Sequence, residues 1–222
     1  MTLGAPAADF DRLARVYAAL ERLSFGHALE RRRACFLDEA EQAEPRRALV
    51  LGDGDGRFTA ALLQRRPTLE VTALDASAAM LGALDRRVRR QTPNANVELR
   101  CTDVRSWRPE RAQFDLVATH FFFDCFTTAE VAAIVRRIAP SVDEGGYWLF
   151  SDFAIPTRPF WGVLARCLVS TLYFAQRLFT GSRIKRLPEH AAALRAAGFE
   201  LTESRTSWGG MLRSELWRSG SR

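Results

Sequence analysis

The chain has 222 residues, of which 47% are hydrophobic and 26% charged. It can bury a full core without help from metals or disulfides, as one large domain or two small ones. The formal net charge of +6 is spread along the chain and is densest in "ERRRA" (Glu30–Ala34), which reads either as solvated helix faces or as a footprint for nucleic acid or anionic lipid.

The cysteines Cys35, Cys101, Cys125 and Cys167 lie far apart, and His27, His120 and His190 do not cluster with them. No pair has the short spacing of a zinc or redox site, so no metal is expected. The thiols read as small core residues in a reducing cytoplasm. The start "MTLGAPAADF" has no basic or apolar run, and no signal peptide is expected.

In chain order, Phe10, Leu13, Val16, Tyr17, Leu20 and Leu23 recur at helical spacing, with Gly26 as the break. A second helix is expected from about Leu29 to Ala43, and Pro45 marks entry into the main fold. Residues 1–44 are thus expected to form a helical cap on a domain covering 45–222. From there strands and helices alternate. Strands are expected at Ala48–Leu51, Glu70–Leu74, Asn96–Cys101, Phe114–Phe122 and Tyr147–Phe153. Helices are expected at Arg57–Arg66, Ala78–Arg90 and from the capping-box pair Thr127 and Glu130 to about Ala139. "DEGG" (Asp143–Gly146) reads as a turn. This alternation argues for a parallel sheet covered on both faces.

The pattern then changes. Pro156 and Pro159 interrupt the chain, and Phe160–Phe179 is a long, largely apolar helix candidate within a helical insertion over about 156–187. Pro188–Ala197 reads as a short helix ending at Gly198. Phe199–Trp208 and Met211–Arg218, joined by Gly209 and Gly210, read as an antiparallel hairpin.

The most informative stretch is "ALVLGDGDGRFTAALL" (48–63), a strand running into glycines at alternate positions and then a helix. A dinucleotide loop needs glycine or alanine at the sixth position of its motif; Arg57 or Thr59 stands there. A phosphate-binding loop needs a Gly-Lys-Ser/Thr that is absent. Asp53 and Asp55 would also repel a phosphate. The loop suits a ligand with a cationic end and no phosphate, as S-adenosylmethionine is. Either Asp53 or Asp55 then faces an ammonium, or both are turn acids facing solvent. Asp75, 23 residues after Gly52 and followed by Ala76, ends the second strand. There it accepts both ribose hydroxyls or simply caps the next helix. Asp103 in "CTDV" meets an adenine edge or is a loop acid.

These residues resemble a class I S-adenosylmethionine-dependent methyltransferase of the small-molecule type. The resemblance runs through "ALVLGDGDGRF", "VTALDASAAML", "CTDV", "FDLVATHFFFDCF" and "DEGGYWLFSDF" to the closing hairpin. It implies a Rossmann-like, doubly wound α/β fold with seven strands in the order 3-2-1-4-5-7-6, the seventh antiparallel. It implies S-adenosylmethionine as cofactor and S-adenosylhomocysteine as product. By this resemblance Gly52, Gly54 and Gly56 lie under the methionine part, with Asp53 beside the amino group. Asp75 with Ala76 takes the ribose, Asp103 and Val104 the adenine, and Thr119 and His120 border the reactive methyl. The family often has an acid two residues before the first glycine; Val50 stands there, and Asp53 is the candidate to compensate. The N-terminal helix resembles one that covers the cofactor, and Tyr17 either lines the pocket or is a core aromatic.

Methyl transfer is an in-line displacement that gains mainly from alignment, and a base is needed only where the nucleophile must lose a proton. His120 and Asp124 are the candidates, against a buried histidine among phenylalanines and a turn cap. "FFFDCF" makes the rim apolar. Phe160–Phe179, with Arg166 and Arg177 inside it, is a core helix, a substrate lid or a peripheral membrane contact rather than a membrane span. The partner expected is therefore an apolar or aromatic small-molecule acceptor, including lipid or quinone precursors. Nucleic acid is not expected, for want of basic–aromatic interleaving near the crevice. The alternatives are an RNA or protein methyltransferase and a non-catalytic S-adenosylmethionine-binding module.

Overall fold

The computed structural model describes residues 27–156 and 187–220. The first helix with Tyr17 and the Phe160–Phe179 segment lie outside the described residues.

A seven-stranded sheet runs in the order β3-β2-β1-β4-β5-β7-β6. Its strands are β1 (Arg47–Leu51), β2 (Glu70–Asp75), β3 (Val97–Cys101), β4 (Phe114–His120), β5 (Val142–Phe153), β6 (Phe199–Ser207) and β7 (Leu212–Ser219). The first five pair in parallel, and β7 is antiparallel to both β5 and β6. This is the expected fold, and the closing hairpin forms as its sequence predicts.

Alternation along the central strands feeds two cores. Ala48 and Val50 of β1 face one layer, made by α2 (Leu37–Gln42), α3 (Arg57–Arg65) and α4 (Ala78–Gln91). Leu49 and Leu51 face the other, made by α5 (Thr128–Ile138) and α6 (His190–Ala196) around Trp148 and Trp217. The helices therefore leave β1 and β4 toward opposite faces. Their loops part at the carboxyl ends of these two adjacent strands, the topological switch point where open α/β sheets bind ligands.

Three expectations need correction. The helix expected over Leu29–Ala43 is two, α1 (His27–Arg33) and α2, with a turn at Ala34–Phe36. The break lets Phe36 and Leu37 enter the core. "DEGG" is no turn; it lies inside β5, where the pairing jumps from Phe114↔Val142 to Leu116↔Tyr147. Five residues of β5 are set against two steps of β4, a bulge eased by Gly145 at φ +75°. Among the described thiols, Cys101 and Cys125 are exposed rather than core residues and Cys35 is half-buried against the core, while Cys167 lies outside the described residues.

The N-terminal helices are held by the last hairpin. The hydroxyls of Ser151 and Ser214, 3.0 Å apart, lie 3.0 and 3.1 Å from the Arg32 carbonyl oxygen. Arg205 on β6 donates to the Cys35 carbonyl at 2.7 Å, pairs with Glu39 and lies over the Phe36 ring.

At α5 the capping box is complete. The Thr127 hydroxyl accepts from the Glu130 N–H, and the Glu130 carboxylate accepts from the Thr127 N–H at 2.9 Å. Replacing Thr127→Ala should lower unfolding free energy by about 1 kcal/mol in urea titrations, with the fold retained.

Candidate functional site

The site is the rim where the β1, β2, β4 and β5 carboxyl ends meet. Gly52, Gly54 and Gly56 all have positive φ, at +64°, +60° and +78°. A Cβ on Gly52 would fall 2.1 Å from a Phe122 ring carbon, and one on Gly56 would fall 2.6 Å from Leu84 Cγ. At Gly54 it would meet only Met80 Sδ, at 3.8 Å. Of the three, Gly54 alone keeps an open face for a ligand; the other two are bare so that the protein can pack on them.

The two loop acids are taken by the protein itself. Asp53 is buried, and its carboxylate accepts from the N–H groups of Thr59 at 2.8 Å and Phe58 at 3.3 Å and from the Thr59 hydroxyl at 2.7 Å. It caps the amino end of α3, where the helix dipole favours a negative charge. Burial raises its pKa, while the bonds from Thr59 pull it down. Asp53 therefore does not stand in for the missing acid at Val50, which is itself a core residue. Asp55 is held by Arg87 at 2.7 Å and by Arg57 at 3.2 Å, and its carbonyl accepts from Arg87 Nε at 2.8 Å. The loop keeps its negative charges as a brace for α3 and α4. The expectation that either acid faces a ligand ammonium is corrected accordingly.

Asp75 ends β2. Its Oδ1 accepts from the Ser77 N–H at 2.8 Å, and the N–H groups of Gly54 and Ala76 also point to its carboxylate. Ser77, not Asp75, caps α4, accepting from Met80 N–H. Burial lifts the Asp75 pKa against the three N–H donors. Ala76 beside it is exposed. Asp75 is thus aimed at the rim and tied to the one open glycine.

Asp103 is less available. Arg105 chelates both of its carboxylate oxygens, at 3.0 and 3.1 Å from Nε and 2.6 Å from Nη2, and holds its pKa below the usual carboxylate range. Val104 beside it is buried in the core under the rim.

Two residues of β4 are misplaced for the roles expected of them. Thr119 is buried, and its hydroxyl accepts from Trp148 Nε1 at 3.0 Å inside the core. His120 faces the opposite layer, edge-on to Phe58 with ring centroids 4.3 Å apart. Neither of its ring nitrogens has a hydrogen-bond partner among the described residues. Burial, helped by the nearby Arg33 charge, lowers its pKa to about 3. A neutral imidazole so hard to protonate is a poor general base, and His120 as catalyst is corrected to a buried aromatic neighbour.

Asp124 does reach the rim, but with a partner that the sequence reading missed. Asp152, near the end of β5, accepts from the N–H of Asp124 at 3.1 Å and of Phe153 at 2.8 Å. Both acids are buried. Burial first, and then the Asp124 charge, push the Asp152 carboxyl well above its ordinary range. Also missed was Glu215, buried on β7, which is bound by His190 Nε2 at 2.8 Å and Trp217 Nε1 at 2.9 Å. Asp124 lies 28 residues from Asp152 and His190 lies 25 from Glu215, so no local motif announces either pairing; the one available signal was an acid inside an otherwise apolar strand pattern. No group of three metal-ligating side chains is present among the described residues, and no described helix is long and apolar enough to cross a membrane.

Comparison with known proteins agrees with this geometry. Residues 48–146 match the family described as a methyltransferase domain. A malonyl-[acyl-carrier protein] O-methyltransferase from Paenibacillus sp. (strain JDR-2) is 29% identical over 107 residues, 47% of this chain and 38% of that enzyme. The match therefore spans well under half of that relative's length. Among solved structures, the N-methyltransferase NodS from Bradyrhizobium japonicum WM9 superposes with a TM-score of 0.60 at 16% identity, covering 87% of this chain and 97% of that one. The S-adenosylmethionine-dependent methyltransferase SibL gives 0.66 at 22%, covering 94% and 57%. The mitomycin 7-O-methyltransferase MmcR gives 0.62 at 19%, covering 97% and 69%. Residues 48–146 thus match a methyltransferase domain, and the fold is the one shared with these solved S-adenosylmethionine-dependent methyltransferases.

The rim fits that cofactor at two points, the open face of Gly54 and the outward carboxylate of Asp75, which can accept a pair of vicinal hydroxyls.

Two outcomes separate scaffold from site. Asp53→Ala should cost about 1–2 kcal/mol of stability by removing the α3 cap, measured by thermal or urea unfolding. For Asp152, whose pKa is raised on folding, the native chain keeps a proton that the unfolded chain has already lost. Its contribution to stability is full at low pH and is lost as pH rises through the folded value. The stability of wild type relative to Asp152→Asn should therefore be greatest below about pH 4, the unfolded carboxyl value, and fall as pH rises above it in urea titrations.

Proposed function

We propose that the protein transfers the methyl group of S-adenosylmethionine to an apolar or aromatic small molecule at the switch-point crevice. The observation that carries this is the composition of the crevice itself. Asp75 supplies a hydroxyl acceptor on one side. On the other, Phe122 and Phe126 stack edge to face at 5.0 Å, and Phe122 lies 6.0 Å from Phe123. Such a wall excludes water and suits an apolar acceptor more than a nucleic acid. The similarity to a malonyl-[acyl-carrier protein] O-methyltransferase supports oxygen as the acceptor atom.

When bound, the cofactor supplies the electrophilic methyl group. The chain's own part is alignment. Asp75 holds the nucleoside end and the Gly54 backbone the methionine part, and the turn Phe123–Cys125 lines the acceptor side, held to β5 by Asp152. Where the acceptor must lose a proton, Asp124 is the candidate base, because His120 packs against Phe58 in the opposite layer.

The test is calorimetric titration with S-adenosylmethionine, followed by a metabolite screen with a labelled methyl donor. Asp75→Ala removes up to two charge-assisted hydrogen bonds, each worth about 1.5–3 kcal/mol. Affinity should fall at least about tenfold while circular dichroism is unchanged. Equal affinity in the two proteins would remove Asp75 from the site, and absence of binding in wild type would remove the function.

A further inference from the structure

We infer that Phe122 is a plug: its ring lies across the switch-point crevice against Gly52, and the methionine half of the cofactor must displace it to bind. The inference rests on the cofactor reading above and concerns how the site is regulated.

Three observations place the ring there. A Cβ built on Gly52 would fall 2.1, 2.7 and 3.0 Å from three carbons of the Phe122 ring, so the ring lies directly against the glycine loop. Gly52 follows β1 and Phe122 follows β4, and these two strands are hydrogen-bonded neighbours whose helices leave to opposite faces. A side chain bridging those two loops lies across the crevice in which open α/β sheets take their ligands. The ring is held by contacts that can be exchanged: it is half-buried and edge-on to Phe126 at 5.0 Å.

The backbone is set to aim it. Phe121 has φ +53°, left-handed for a bulky residue. Its N–H is nonetheless bonded to the Ser151 carbonyl at 2.6 Å, its ring meets Phe153 at 5.4 Å, and Arg33 lies over it at 5.0 Å. The anchored Phe121 goes toward the α1 side, and the reversal turns Phe122 back over Gly52. Strain of this kind persists only where the surroundings over-determine it. It is met here by fixing Phe121, while Phe122 is held only by ring contacts, to Phe123 at 6.0 Å and to Phe126 at 5.0 Å, and by its packing on Gly52 among the described residues.

A plug lowers apparent affinity by the fraction of time the crevice is open. A simple wall does the reverse, because truncating it removes contacts with the bound ligand. The two roles therefore differ in the sign of one measurement. S-adenosylhomocysteine binding is followed by stopped-flow and calorimetry for wild type, Phe122→Ala and Phe122→Leu, each checked by circular dichroism. The plug predicts association at least about threefold faster and tighter binding in Phe122→Ala, with Phe122→Leu between it and wild type. Unchanged or weaker binding in a folded Phe122→Ala would overturn it. In the unshortened chain, 4-fluorophenylalanine at position 122 should shift its fluorine resonance on saturation with S-adenosylhomocysteine, whereas a resonance that does not move would also overturn the plug. Failure of wild type to bind at all would instead bring down the cofactor reading and the plug with it.

Discussion

The carboxylate of Asp53 turned into the first turn of α3 is the contact on which the rest of the rim depends. Three donors from Phe58 and Thr59 converge on it. That fixes the direction in which the chain leaves β1, and so decides which face of the sheet α3 covers. Asp55 then clamps Arg87 of α4, and the Asp75 carboxylate accepts from the Gly54 N–H. One short loop thus ties β1, β2, α3 and α4 into a single unit. Had its charges faced outward to a ligand, the ties to α3 and α4 would be missing, and the loop would keep its hold on β2 through Gly52 N–H to the Leu74 carbonyl, at 2.8 Å, and Gly54 N–H to Asp75.

The opposite wall is built on a different principle. Beyond β4 the chain relies on aromatic packing and one buried carboxylate rather than on glycines. Phe123 enters the core against Trp148 and Phe150, while Asp152 gathers the turn's N–H groups. A hydrogen-bonded, glycine-rich wall faces an aromatic one across the switch point. In the proposed reaction the first wall would serve the polar nucleoside and the second the apolar acceptor.

Most of the fold could be read from the sequence because its signals are local. The glycine loop, the Thr127 and Glu130 box and the paired closing strands each lie within a dozen residues. The misses share a physical cause. "DEGG" looks like a turn on its own, but pairing with β4 and β7 on either side carries β5 straight through it. Ala34–Phe36 carries no breaker, and the helix stops there because Phe36 is worth more in the core than in a continued helix. At the site, the position of Asp75 was legible from chain order alone. Thr119 and His120 were not, since the face taken by each depends on the register of β4 against β1 and β5. The partnership of Asp124 with Asp152 spans 28 residues, beyond any local pattern.

The seating of α1 and α2 on the last hairpin has a consequence for the order of assembly. Arg205 reaches the carbonyl of Cys35 across 170 positions, and Ser214 reaches that of Arg32 across 182. Contacts closing loops of that size form late, because the chain must surrender the entropy of the whole intervening stretch before they return any energy. During synthesis the helices that flank the rim emerge long before the strands that fasten them. The helices' ion pairs to α3, Glu30 with Arg57 and Asp38 with Arg65, span no more than 27 residues and can form early, so the hairpin contacts are the late part of their seating.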